Sequence, residues 1–287
     1  MPLTWGGRSI PGPGGLPAVA VSLTGPSLAQ ARSQARSAVD AGADVLELRV
    51  DLLEETGALA TPDPLDAATA AAQVLECLRG LGEVIAADGA DAGAGAPLLL
   101  TCRTAAEGGR AHLDDTAYGS LLRSVLDGLT DWTPERRPAA IDVEVQRGCL
   151  PQVCAQAHAL SIDVVASFHD FEATPADEAL EEVLARMARE GADLAKIAVW
   201  PTTADDVARL LGVCARATAG AGEGTGPGVL VAAMSMGALG AVSRVAPAFG
   251  SALTFAVVPD EQGEVQASAP GQMPIQDVRR CLELLRA

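Results

Sequence analysis

The chain has 287 residues, 49% hydrophobic and 20% charged, which is enough apolar material for one large α/β domain or two small ones and excludes a globally disordered chain. Its net charge of −17 argues against nucleic-acid or anionic-membrane partners, and no apolar run reaches the roughly 18 residues of a membrane span. The six cysteines show neither CxxC nor metal-ligand spacing, and the start lacks an apolar signal core, so the expectation is a cytoplasmic protein with reduced thiols and no metal.

Residues 1–17 are rich in Gly and Pro and read as a flexible N-terminal segment; 18–287 read as one catalytic domain. Within it, strands are predicted over 18–23, 44–50, 97–103, 139–145, 163–168, 194–200, 229–234 and 252–258. Helical patterns lie between them over 27–41, 65–81, 117–129, 150–160, 177–190 and 204–218, with a short one near 240–248 and a last one over 275–285. Alternating strands and helices imply a parallel sheet with right-handed crossovers. Eight such units suggest a single-domain (β/α)8 TIM barrel, whose usual size is about 250 residues. The excess length falls in two Gly/Ala-rich stretches, 86–96 and 219–228, which read as surface insertions. A doubly wound open sheet is the alternative, weakened by the absence of GxGxxG after the first strand.

The predicted strands carry polar residues in i, i+2 pairs near their C-terminal ends. These are Glu47 and Arg49, Thr101 and Arg103, Asp142 and Glu144, Ser167 and His169, and then Lys196. Strand side chains alternate, so each pair points to one face. Charges turned toward apolar helices would be costly to bury; turned inward, they line one shared site at the barrel top. His112 falls in a polar loop and His158 in a helix, and both read as ordinary surface or packing residues. His169 ends the fifth strand. Lys196 follows 27 residues later, about one strand–helix–strand unit, which brings the two onto neighbouring strands.

Lys196 is the chain's single lysine; the other 19 basic residues are arginines. Arginine can hold a charge, but it cannot lose a proton near neutral pH and attack a carbonyl. The sharp reading of Lys196 is therefore an imine-forming nucleophile, and the bland one a chance survivor in an arginine-rich composition. A titratable imidazole nearby suits proton transfer beside an imine. Met234 and Met236 read either as core filling or as a soft pocket wall. Ser268-Ala269-Pro270-Gly271-Gln272, with Gly263 upstream, reads as a mobile lid before the last helix.

At these residues the chain strongly resembles type I 3-dehydroquinate dehydratase. The matching segments are Glu47-Leu48-Arg49-Val50-Asp51; Arg103-Thr104 with Glu107-Gly108-Gly109; Ser167-Phe168-His169-Asp170; and Lys196-Ile197-Ala198-Val199. They continue with Met234-Ser235-Met236-Gly237, Ser243-Arg244 and Ser268-Ala269-Pro270-Gly271-Gln272. The resemblance implies a barrel enzyme, usually a homodimer, without metal or organic cofactor. It implies the substrate 3-dehydroquinate, converted to 3-dehydroshikimate in the shikimate pathway. It also implies that Lys196 forms the Schiff base, His169 is the general acid/base, Glu107 supports it and Asp142 orients it. Arg244 would clamp the substrate carboxylate. Ser22, Glu47, Arg49, Arg103, Ser268 and Gln272 would hold hydroxyls or the carboxylate, and Met234 and Met236 would wall the pocket. Cys102 and Trp200 depart from the family's usual apolar residues without replacing a matched catalytic group. Two other readings stay open: an imine-forming aldolase on the same fold, and a binding protein that keeps the pocket without the chemistry.

Overall fold

The computed structural model describes residues 2–61, 66–87, 96–219, 229–259 and 266–286. Eight parallel strands follow one another around a nearly closed barrel. They are β3 (Ala18–Leu23), β4 (Val45–Arg49), β5 (Leu98–Thr101), β6 (Ala140–Glu144), β7 (Asp163–Asp170), β8 (Leu194–Val199), β9 (Leu230–Ser235) and β10 (Leu253–Ala256). From β3 to β9 each pairs with the next, and β10 pairs back with β3. The remaining seam is bridged by the Ala252 amide, which donates to the Val231 carbonyl at 2.7 Å. The eight predicted strands are all present, and the open-sheet alternative does not hold.

The helices are α1 (Leu28–Asp40), α2 (Ala67–Ala87), α3 (Asp115–Gly128), α4 (Leu150–Ala159), α5 (Asp177–Arg189), α6 (Ala204–Ala219), the single turn α7 (Gly237–Gly240) and α8 (Ile275–Leu284). Most of the two Gly/Ala-rich stretches, and Gly263, lie outside the described residues. No described helix is long and apolar enough to cross a membrane.

Alternation along the strands separates two cores. Outward residues such as Val19, Leu46, Ile141, Val164 and Ile197 pack against the helices. Inward residues change character from bottom to top. Near the strand N-termini Ala18, Val45, Leu99, Ala140, Val165 and Leu194 form an apolar plug. Two residues further along, on the same face, stand Glu47, Thr101, Asp142, Ser167 and Lys196, all buried. The register sets these side by side, with Ser22 opposite Glu47 and Ser167 opposite Lys196. The polar pairs therefore face the barrel interior, as the alternation predicts.

The structure departs from the sequence reading at the N-terminus. Part of the segment expected to be flexible forms a hairpin, β1 (Leu3–Trp5) and β2 (Arg8–Ile10). Its two-residue turn, Gly6-Gly7, has positive φ at both positions, the geometry that matches strand twist and that glycine adopts without strain. Trp5 and Ile10 are buried in the interior plug, and the Trp5 indole donates to Asp163 Oδ2 at 2.8 Å. The hairpin closes the bottom of the barrel, so access to the polar interior is from the top.

Candidate active site

The polar upper interior opens into a cavity that, with its open mouth included, spans about 480 Å³. Its lining includes Glu47, Arg49, Arg103, Glu107, His169, Lys196, Met234, Arg244, Ser268 and Gln272, ten of the thirteen residues singled out from sequence. Two of the others, Ser22 and Asp142, lie just behind this lining. Ser22 accepts from the Ser268 hydroxyl at 2.8 Å and donates to Glu47. Met236 is the exception: it is fully buried at the start of α7 and does not line the cavity.

Lys196 is 5% exposed. Its Nζ lies 3.5 Å from both Glu47 Oε1 and Asp142 Oδ2, and 4.5 Å from the centre of the Phe255 ring. Burial disfavours ionisation of Glu47, but Lys196, Arg49, the Ser22 hydroxyl and Arg103 together outweigh it and bring its pKa down to about 2. The carboxylate that faces the amine is thus a fixed negative charge.

Beside the amine lies a hydrogen-bonded pair: His169 Nδ1 and Glu107 Oε2 are 2.8 Å apart. Glu107 reaches this position from the turn Ala105–Glu107, just after β5. Burial raises its carboxyl to about 8; Arg103 and Arg147 pull against that shift, while Glu144 and Asp142 push with it. Burial, together with Arg103, Lys196 and Arg49, holds the imidazole well below its ordinary value. Both shifts favour the uncharged forms, a protonated carboxyl beside a neutral imidazole, joined by one hydrogen bond. Phe171 stacks on the imidazole with ring centres 6.4 Å apart and shields one side of it.

Asp142 and Arg103 are engaged mainly with other protein groups. Asp142 hydrogen-bonds to Arg103 Nη2 at 2.8 Å and accepts from Ser167 Oγ at 2.7 Å, and its other oxygen faces Lys196; the imidazole goes to Glu107 instead. Asp142 thus sits beside the amine rather than on the histidine. Arg103, expected to hold substrate, spends its guanidinium on Asp142, Glu144 and Ser167. It borders the cavity, yet its donors organise the protein's own carboxylates. Arg49 is similarly braced, with two bonds of 2.8 and 2.7 Å to Asp51.

Arg244 differs from both. It is 2% exposed, and among the described residues no carboxylate pairs with it. Its Nη2 donates to the Pro270 carbonyl at 3.1 Å, while its buried Nε has no hydrogen-bond partner. Burial lowers its pKa to about 10. A buried guanidinium with an unsatisfied donor beside a cavity is a ready site for an anion. The segment predicted as a lid folds over it: Gly237 N–H also donates to the Pro270 carbonyl, and Ser268 N–H donates to Gln272 Oε1 at 2.9 Å.

Sequence reasoning did not single out Phe171 or Phe255, which also line the cavity, and it named the lining residues Gly108, Ala198 and Ala269 only as parts of matching segments. A lone apolar residue on a strand reads as core, and only the register around the barrel shows that Phe255 lies beneath the lysine. Among the described residues no cluster of His, Cys, Asp and Glu has the arrangement of a metal site.

The family model for type I 3-dehydroquinase matches residues 19–287. A 3-dehydroquinate dehydratase of Klebsiella pneumoniae is 36% identical over 271 residues, covering 93% of this chain and 92% of that one. One from Salmonella agona is 35% identical over 275 residues, covering 94% of each. Among solved structures, 3-dehydroquinate dehydratase from Geobacillus kaustophilus superposes with a TM-score of 0.79 at 28% identity, covering 100% of this chain and 96% of that one. The type I enzyme from Clostridium difficile, solved with covalently modified comenic acid, gives 0.78 at 28% identity, covering 100% and 98%.

Proposed function

The chain belongs to the type I 3-dehydroquinase family of hydro-lyases, and on that premise we propose that it dehydrates 3-dehydroquinate through an imine on Lys196. The observation that carries this reading is one lysine amine, buried in the same cavity as a His–Glu pair and a buried arginine without a carboxylate partner. The covalent ligand in the Clostridium difficile relative is in keeping with covalent chemistry in this family.

The reaction removes a proton α to a ketone and a hydroxyl β to it. That proton is too weakly acidic for an imidazole to take unaided. Neutral Lys196 adds to the ketone, and loss of water from the adduct leaves an iminium beside the carbon. His169 then takes the α-proton, and the C–H electrons move into the C–N system to form an enamine. The enamine expels the β-hydroxyl, which leaves as water with a proton from the imidazole. Hydrolysis of the unsaturated iminium releases 3-dehydroshikimate and restores the amine. The net change is the loss of one water.

Each nearby group has a part in this. Glu47 and Asp142 stabilise the positive charge that develops on nitrogen. Glu107 shares the proton that His169 moves. Arg244 offers the forked donors a carboxylate prefers. Ser22, Glu47, Arg49, Ser268 and Gln272 supply partners for the substrate hydroxyls, and Met234 supplies an apolar wall. The same reading places the enzyme in the shikimate pathway, as a cytoplasmic homodimer; sedimentation of the purified protein checks the oligomeric part. Added 3-dehydroquinate should yield the absorbance of the conjugated enone product. A folded protein that gives no such absorbance would overturn the proposal.

A further inference from the structure

We propose that Glu144, at the end of β6, is the positioning residue that holds Glu107 against His169, acting through Thr104. The proposal rests on the reading of Glu107 and His169 as the acid–base pair.

Glu144 is completely buried and does not line the cavity. Four donors converge on its two oxygens. Oε1 accepts from the Thr104 amide at 2.7 Å and Arg103 Nη1 at 3.2 Å. Oε2 accepts from the Thr104 hydroxyl at 2.6 Å and Arg147 Nε at 3.1 Å. Thr104 immediately precedes the turn Ala105–Glu107, and the Glu107 amide bonds back to the Thr104 carbonyl at 3.0 Å. The carboxylate therefore grips the base of the short turn that carries Glu107.

An acceptor is needed on both oxygens. The amide of a glutamine would turn an N–H₂ group either toward the Thr104 amide and Arg103 or toward the Thr104 hydroxyl and Arg147, setting donors face to face. Burying a charge solely to staple a turn is costly, and its second effect is electrostatic. The charged groups around the pair are Arg103 from the segment just after β5, Asp142 and Glu144 from β6, Arg147 from the turn after β6, Lys196 from β8 and Arg49 from β4. Within this set, Glu144 favours retention of the pair's proton and Arg147 favours its release. Arg147 lies on the outer side, with Nη1 on the largely exposed Asp115 at 2.8 Å.

Position and charge can be separated by experiment. Glu144→Gln and Arg147→Gln are compared with wild type for kcat, KM, the pH profile of kcat/KM and borohydride trapping with 3-dehydroquinate. With three histidines in the chain, imidazole NMR reports the same midpoint independently. Glu144→Gln should lower kcat on the order of 10- to 100-fold, leave KM within about threefold, and still trap the imine. Its titration midpoint should fall by about one unit, and that of Arg147→Gln should rise. A merely structural staple would not move the two midpoints in opposite directions. A Glu144→Gln variant with wild-type kcat, or midpoints unmoved or moving together, would overturn the proposal. Should Glu144→Gln fail to fold, the upward shift in Arg147→Gln decides alone, and its absence overturns the proposal. His169→Ala serves as reference: wild-type turnover there would sink the acid–base reading itself, whatever Glu144 does.

Discussion

Glu107 has one buried oxygen without a hydrogen-bond partner and a carboxyl raised from 4.5 to about 8. Between those values the folded protein holds a proton that the unfolded chain has released. The stability this group contributes is complete below pH 4.5 and is lost as pH rises through 8. Glu107→Gln, which cannot ionise, should therefore gain unfolding free energy over wild type at pH 9, on the order of a few kcal/mol, with the gain vanishing near pH 4.5. A constant difference across that range would contradict it. The same substitution should impair turnover, because His169 loses its proton partner. His169→Ala should turn over roughly 10²–10⁴-fold more slowly while still forming the imine; a loss of less than threefold would remove the imidazole from the mechanism. Lys196, His169 and Arg244 are legible in the sequence because each falls in a motif and two of them at an inward strand position. The partners of Asp142 and Arg103 are not, because alternation assigns a face and says nothing of which neighbour on that face is touched.

At the scale of elements, the barrel strands can be read from the sequence because an apolar outer face repeats in most of them and an apolar-then-polar inner face repeats from β4 to β8. The hairpin β1–β2 carries a signal too, the Gly6-Gly7 pair between Trp5 and Arg8, but its two three-residue strands are too short for alternation to speak. Trp5→Ala should cost about 3–5 kcal/mol, since it empties the bottom of the interior plug and removes the bond to Asp163. Denaturant unfolding checks this; a loss under about 1 kcal/mol would mean that the hairpin is an ornament. At the other end, Gly271 has a φ of +81°, and a Cβ there would come within 2.3 Å of the Gly237 carbonyl oxygen. Gly271→Ala should displace the segment holding Ser268, Pro270 and Gln272 and raise KM about tenfold with little change in melting temperature. An unchanged KM would show that this segment does not hold substrate.

For the whole molecule, a net charge of −17 opposes the approach of an anionic substrate, so in the proposed mechanism capture falls to the local charge of Arg244. Added salt should screen the distant repulsion, so kcat/KM should hold steady or rise modestly up to about 0.3 M salt. A steep fall would mean that the arginine cluster dominates even at long range. Composition, which reveals nothing of the fold's topology, isolates the central residue: one lysine among 287 residues leaves the N-terminus as the sole competing amine. Borohydride added to the protein turning over 3-dehydroquinate should therefore inactivate it irreversibly. Peptide mapping should find the reduced adduct on Lys196, and Lys196→Arg should yield none. Labelling confined to the N-terminus, or full activity in Lys196→Arg, would contradict the imine mechanism.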